Sequence, residues 1–341
     1  MSRLSIVQQQ QASEFDLEDG RRLRMGAQIG TTGSASSMYR AIIESPNGLR
    51  KKVGVKVFGT ISSDDAENVS SAIAEAAQRS AHIDHPNVVR TYDYLIYNAR
   101  PLLVLELVDG VNLETLIEHH RKQRRRLPLD LALFLALEVG EGLSGARDAR
   151  DDEGVQLGLV HLGLTAREIL ISWRGEVKIE GFGLDVARAG TSSIRTLHGV
   201  GGRAHMMSPE VASGFEADAR SDVFSLGILL REMLIGPRFP QGLKSAEAVR
   251  LAREGYIHPL PFAPDLPIEL AQTINRAITI EAEDRYPNST AMLHDLRRIA
   301  LSLGVGDLRY TLRRTLDREL REGANSETHE VFLTEAQDDR D

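Results

Sequence analysis

Val160-His161-Leu162-Gly163-Leu164-Thr165-Ala166-Arg167-Glu168-Ile169-Leu170-Ile171 and, a few residues on, Val177-Lys178-Ile179-Glu180-Gly181-Phe182-Gly183 decide how this chain is read. Ile169 to Ser172 and Val177 to Ile179 are short β-prone runs, and Arg174-Gly175 between them is a turn pair. Branched apolar residues on both sides of a Gly-containing turn predict two short strands. The second runs out into Glu180-Gly181-Phe182-Gly183.

Outward from this stretch the pattern is asymmetric. On the C-terminal side, helical segments are expected around 221–235, 245–254, 267–279 and 289–302, and the charged stretch 306–322 predicts one more helix. On the N-terminal side, Asp130 to about Arg150 reads as a long helix, and Asn112 is placed to cap a short one through His119. From Arg22 to about Leu107 the chain is strand-rich instead. Val53, Val55 and Val57 alternate, Val89 to Tyr97 and Leu102 to Leu107 are β-prone, and a single helix over Ala66 to Ala81 interrupts them. The expectation is α+β, a small β-rich lobe with one helix and then a larger, mainly helical lobe. Residues 1–18 are polar and Gln-rich, expected to be a disordered lead-in, and the acidic tail to Asp341 is expected to be mobile.

The 341 residues and 42% apolar content suffice for one two-lobed domain or two ordinary ones. Cysteine is absent, which excludes disulfides and thiolate metal sites and suits a reducing compartment. The N-terminus lacks the apolar core of a signal peptide, and the best apolar stretch, Leu129 to Val139, is broken by Asp130 and Glu138. The expected location is cytoplasmic, with no membrane span. A net charge of -8 argues against nucleic acid as a partner. The one basic run, Arg121, Lys122, Arg124, Arg125 and Arg126, is expected on a loop between helices, either simply solvated or facing an acidic partner. The histidines show no metal spacing, since the adjacent His119 and His120 cannot share a helix face.

In the β-rich half, Ile29-Gly30-Thr31-Thr32-Gly33-Ser34-Ala35-Ser36-Ser37 joins two expected strands. Small residues there let backbone N–H groups approach phosphates, although hairpin loops of this kind are common without that role. Lys56 faces the side opposite the three valines, and Glu75 on the next helix is a candidate ion-pair partner. His85-Pro86-Asn87-Val88-Val89 turns a helix into a strand. Leu103 to Gly110 is an apolar strand ending near Glu106 in a polar connection, whose backbone could bond an adenine edge.

Taken in order, these motifs resemble a Hanks-type serine/threonine protein kinase, particularly the bacterial branch. The stretch 160–171 resembles the catalytic loop, usually His-Arg-Asp-Leu/Val-x-Pro-x-Asn-Ile/Val-Leu, and 177–183 resembles the strand entering Asp-Phe-Gly. Met207-Ser208-Pro209-Glu210 is similar to the end of the activation segment, Ser221 to Gly227 to the start of the central large-lobe helix, and Asp284-Arg285-Tyr286 to the late segment whose Arg pairs with that Glu. The resemblance covers about residues 22–302. It implies a bilobal kinase domain over 19–302, with lobes at 19–108 and 111–302, and a charged helix and acidic tail over 303–341. It further implies an ATP frame built from Gly30, Gly33, Met38, Gly54, Lys56, Glu75, Glu106 and Leu170. His161, Phe182, Asp222 and the Glu210–Arg285 pair would be its structural supports.

The chemical positions depart from the family. The proton-accepting aspartate is replaced by Gly163, the magnesium-holding asparagine by Glu168, and the aspartate of Asp-Phe-Gly by Gly181; the loop arginine is Leu162. Glycine supplies neither base nor ligand. A positioned base is worth roughly 10²–10⁴ in rate and metal clamping roughly another 10². From a kinase turnover of about 1–100 s⁻¹, losing both leaves roughly 10⁻⁶ to 10⁻² s⁻¹, softened if the two losses overlap. The resemblance therefore implies a pseudokinase that docks protein partners and binds ATP with weak or no magnesium dependence. The alternative is a weakly active kinase using Lys56 and a single ion on Glu168. Thr191, Ser192, Ser193 and Thr196 lie in the activation segment, but Leu162 cannot grip a phosphate placed on them.

Overall fold

A computed structural model of the chain describes residues 14–17, 19–32, 36–59, 66–97, 100–182, 203–240, 242–258 and 266–321. The chain divides into two compact units, Met1–Ile61 with Thr91–Leu107, and Ser62–Arg90 with Val108–Asp341.

The first unit is an antiparallel sheet of β1 (Glu14–Asp16), β2 (Arg22–Thr32), β3 (Ser36–Glu44), β4 (Arg50–Phe58), β5 (Thr91–Tyr97) and β6 (Arg100–Glu106). Its spatial order is β1-β2-β3-β4-β6-β5. Period-two alternation puts Leu23, Ala41, Ile43, Val53, Val55, Leu102 and Val104 on one face, where they form the unit's core. β1 takes three residues from the stretch expected to be a disordered lead-in. Phe15 opposite Leu23 packs on Tyr97 with ring centroids 4.1 Å apart, and Asp16 and Glu14 pair with Arg22 and Arg24. The expected strand from Val89 starts two residues late, at Thr91. Val89 instead donates its N–H to the Ile179 carbonyl, while Ile179 donates to that of Asn87.

The second unit holds α1 (Ala66–Ala81), α2 (Leu113–Lys122), α3 (Leu129–Asp148), α4 (Pro209–Ser213), α5 (Ala219–Leu234), α6 (Ser245–Arg253), α7 (Ile268–Ala277), α8 (Ser289–Ser302) and α9 (Arg309–Leu316). A three-stranded sheet joins β7 (Gly110–Asn112), β8 (Ile169–Ser172) and β9 (Val177–Ile179). Asn112 caps α2 by accepting from the Thr115 N–H at 2.9 Å. α2 runs to Lys122, so Arg121 and Lys122 are its last turn, not loop as expected; cations there complement the helix dipole, and Arg121 also pairs with Glu232 of α5.

α3 and α5 are apolar almost all round and form the middle of the main core. α3 carries three glycines where neighbours press close. A Cβ at Gly140 would lie 2.6 Å from Leu293, at Gly142 2.8 Å from the Asn87 carbonyl oxygen, and at Gly145 2.5 Å from the His85 ring. α9 belongs to the same core, through the fully buried Leu312 and Leu316, and runs into a π-helical turn over Asp317–Arg321. No helix among the described residues is long and apolar enough to cross a membrane.

Candidate functional site

In the first unit, the β2–β3 hairpin pairs Gly30 with Met38, Thr31 with Ser37 and Thr32 with Ser36. Gly33 lies outside the described residues. Met38 in turn stands opposite Lys56 on β4, and Lys56 opposite Leu103 on β6. Directly paired residues share a face, so Met38, Gly54, Lys56, Leu103 and Leu105 line the face away from the valine core. Lys56 is only 2% exposed. At Gly54 an added Cβ would sit 3.5 Å from the Met38 sulfur and 3.6 Å from the Glu106 carbonyl oxygen, ordinary contact distances, so an alanine would fit. Glu106 ends β6, half-buried and opposite Val53.

The remaining sequence-predicted residues lie in the second unit. Glu75 sits on α1 with an exposed side chain. Leu170 is the middle of the small sheet, between Asn112 and Lys178. The loop 160–168 is held from beneath by Asp222 of α5, whose carboxylate accepts the His161 N–H at 2.8 Å and the Leu162 N–H at 3.0 Å. Burial pushes that carboxyl above its usual range, against the two N–H bonds pulling it down. His161 is fully buried with its ring edge-on to Phe182, centroids 4.8 Å apart. Its Nε2 is 2.9 Å from the Glu180 carbonyl, which can only accept, so the ring proton sits on that nitrogen.

The changed positions gather around this support. Leu162 holds φ +60°, the left-handed region that bulky residues avoid. Gly163 is buried. Gly181 has φ +101°, and a Cβ built on it would be 3.9 Å from both Glu168 Cγ and His161 Nε2. Glu168 is 5% exposed, and both its oxygens are taken. Thr165 donates its backbone N–H at 3.1 Å and its hydroxyl to Oε2, while Arg203 reaches Oε1 at 3.2 Å. The sequence missed Arg203, because no periodicity links positions 35 apart.

Magnesium takes six oxygen ligands in near-ideal octahedral geometry. Gly163 and Gly181 offer no side-chain oxygen, and Glu168 is engaged by three donors. Among the described residues no three or more His, Asp and Glu come together in a group that could hold a metal. The residues present do not fit the family's metal pair.

A second charged cluster supports the segment after residue 202. Arg285 grips Glu210 with two bonds of 2.7 and 2.9 Å, and Ser221 donates to the same carboxylate at 2.7 Å. Burial alone would raise the Glu210 carboxyl, but these donors win and hold it at about 2. Arg238, 1% exposed, donates to the carbonyls of Tyr256 and Met207, and its guanidinium lies 4.8 Å from the rings of Phe224 and Phe239. Desolvation brings it down to about 9. The four activation-segment hydroxyls, Thr191, Ser192, Ser193 and Thr196, lie outside the described residues.

A buried lysine on a five-residue face, an Asp-supported loop and a Glu–Arg pair behind the activation segment are the working frame of protein kinases. Residues 23–296 match the protein tyrosine and serine/threonine kinase family, and the chain belongs to it. It is 32% identical over 262 residues to the serine/threonine-protein kinase PknA of Mycobacterium tuberculosis, covering 75% of this chain and 56% of that one. To the tyrosine-protein kinase MasK of Myxococcus xanthus it is 26% identical over 261 residues, covering 76% of this chain and 40% of that one. The crystal structure of the Mycobacterium tuberculosis PknI kinase domain superposes with a TM-score of 0.59 at 17% identity, over 81% of this chain and 95% of that one. The fold is that of a protein kinase, and the sequence is related to bacterial serine/threonine kinases. The chain spans about 40% of the length of the first curated relatives it matches.

Proposed function

We propose that this chain is a pseudokinase, a regulatory or scaffolding module that docks protein partners and binds ATP with weak or no magnesium dependence. One observation carries the reading: the three positions that perform the family's chemistry hold two glycines and a glutamate already saturated by Thr165 and Arg203. In this reading Lys56 supplies the phosphate cation, Met38 and Gly54 line the adenine on the same sheet face, and Glu106 marks its backbone edge. The protein's own chemistry is then binding and orientation, with neither Gly163 nor Gly181 offering a side chain to take the acceptor proton.

The alternative is a weakly active or noncanonical serine/threonine kinase, favoured by membership of a family of active enzymes. Two measurements separate them. Purified protein incubated with γ-labelled ATP and magnesium should transfer at or below about 10⁻² s⁻¹; metal-dependent transfer near 1 s⁻¹ that Lys56→Ala abolishes would overturn the proposal. ATP should raise the melting temperature equally with magnesium and with EDTA, and Lys56→Ala should remove the rise.

A further inference from the structure

Glu168 and Arg203 form an ion pair that the family pattern does not ask for. Glu168 stands where the family holds a magnesium-binding amide, and Arg203 enters from the far end of the activation segment. Their side chains are 6% and 19% exposed, so the pair is largely withdrawn from water. A carboxylate buried to that degree is costly unless a cation neutralises it. A divalent ion would need further oxygen ligands, and Gly181, whose Cβ position is 3.9 Å from Glu168 Cγ, supplies none. The guanidinium needs only one free oxygen, and Oε1 is the one that Thr165 leaves open.

We propose that Arg203 is a built-in cation that replaces the metal at Glu168, excluding divalent ions and tying the end of the activation segment to the catalytic loop without phosphorylation. The polarity is the reverse of the usual tether, in which a phosphate on the segment meets an arginine on the loop. Here the segment brings the cation and the loop the anion, and Leu162 fills the place where a phosphate would have been gripped. This inference rests on the pseudokinase reading and deepens it. The test uses neither nucleotide nor acceptor, so phosphoryl transfer cannot contribute to its outcome.

Melting of the full chain is followed with millimolar manganese alone and again after EDTA. The wild type should not shift. Gly181→Asp combined with Arg203→Met should rise by about 3–5 °C, reversed by EDTA, because two carboxylates then face one vacated cation position. Gly181→Asp alone should gain less than half of that, since Arg203 still holds Glu168. A manganese shift in the wild type as large as in the double variant, or an equal shift in Gly181→Asp alone, overturns metal exclusion. A second comparison needs no new ligand: Glu168→Gln keeps the acceptor for Thr165 but removes the charge. It should lower the melting temperature in the wild type and raise it in the Arg203→Met background, where the charge is otherwise uncompensated. The same sign in both backgrounds overturns the ion-pair role.

Discussion

At the scale of single residues, the supporting side chains stand where the family pattern puts them, while Gly163, Glu168 and Gly181 depart from it. Asp222 still receives two loop N–H groups, and Asp222→Ala should cost about 2–5 kcal/mol in urea unfolding, because both donors are left buried. Glu210→Ala strands Arg285 and should cost about 3–5 kcal/mol. Leu162 keeps a left-handed backbone although the side chain the family places there is gone. Relief of that strain should make Leu162→Asn neutral or up to about 1 kcal/mol stabilising, whereas β-branched Leu162→Ile should destabilise. His161, Asp222 and Arg285 were legible in the sequence because each sits inside a motif of fixed spacing. Arg203 was not, because its partner lies 35 positions away, a separation that leaves no local trace.

At the scale of elements, the helices announced themselves through periodicity and caps, and the boundaries moved where tertiary partners took over. α1 falls on the expected 66–81, while the strand after Asn87 is shortened by the bonds that Val89 and Asn87 exchange with Ile179. α2 is longer than expected because its cationic last turn is paired as well as solvated. The largest surprise is α9. Its sequence is charged, Arg309-Tyr310-Thr311-Leu312-Arg313-Arg314-Thr315-Leu316, and only two apolar residues one turn apart report its docking. Both are fully buried in the main core. Leu312→Ala should therefore cost about 2–5 kcal/mol, measured by denaturant unfolding. Ending the chain at Ser302 should cost more than that single change; a truncated protein as stable as the full one would show that α9 is dispensable.

At the scale of the whole molecule, acid is the expected weakness. Burial lowers the proton affinity of His85, His120 and His205 below their ordinary value of 6.5. Around His120 the Glu319 carboxylate pulls the other way, and Arg125 and His119 push with the burial. A group that binds its proton less tightly when folded gives full stability above pH 6.5 and loses it as the pH falls below that value. Glu210, held at about 2 against 4.5, adds a further loss between those two pH values. Melting temperature should thus fall on going from pH 7 to pH 5, and His120→Gln should flatten the fall. Much of the kinase frame was legible because its short motifs keep their order, whereas charge pairs and close approaches are set only by the folded backbone. The glycines along α3 show what that means for anyone trying to harden this protein. By helix propensity alone, alanine at 140, 142 and 145 looks like a safe improvement worth about 1 kcal/mol each. With Leu293, the Asn87 carbonyl and the His85 ring already filling the methyl positions, a sequence-optimising recipe would drive wedges between the helices and strands it meant to tighten.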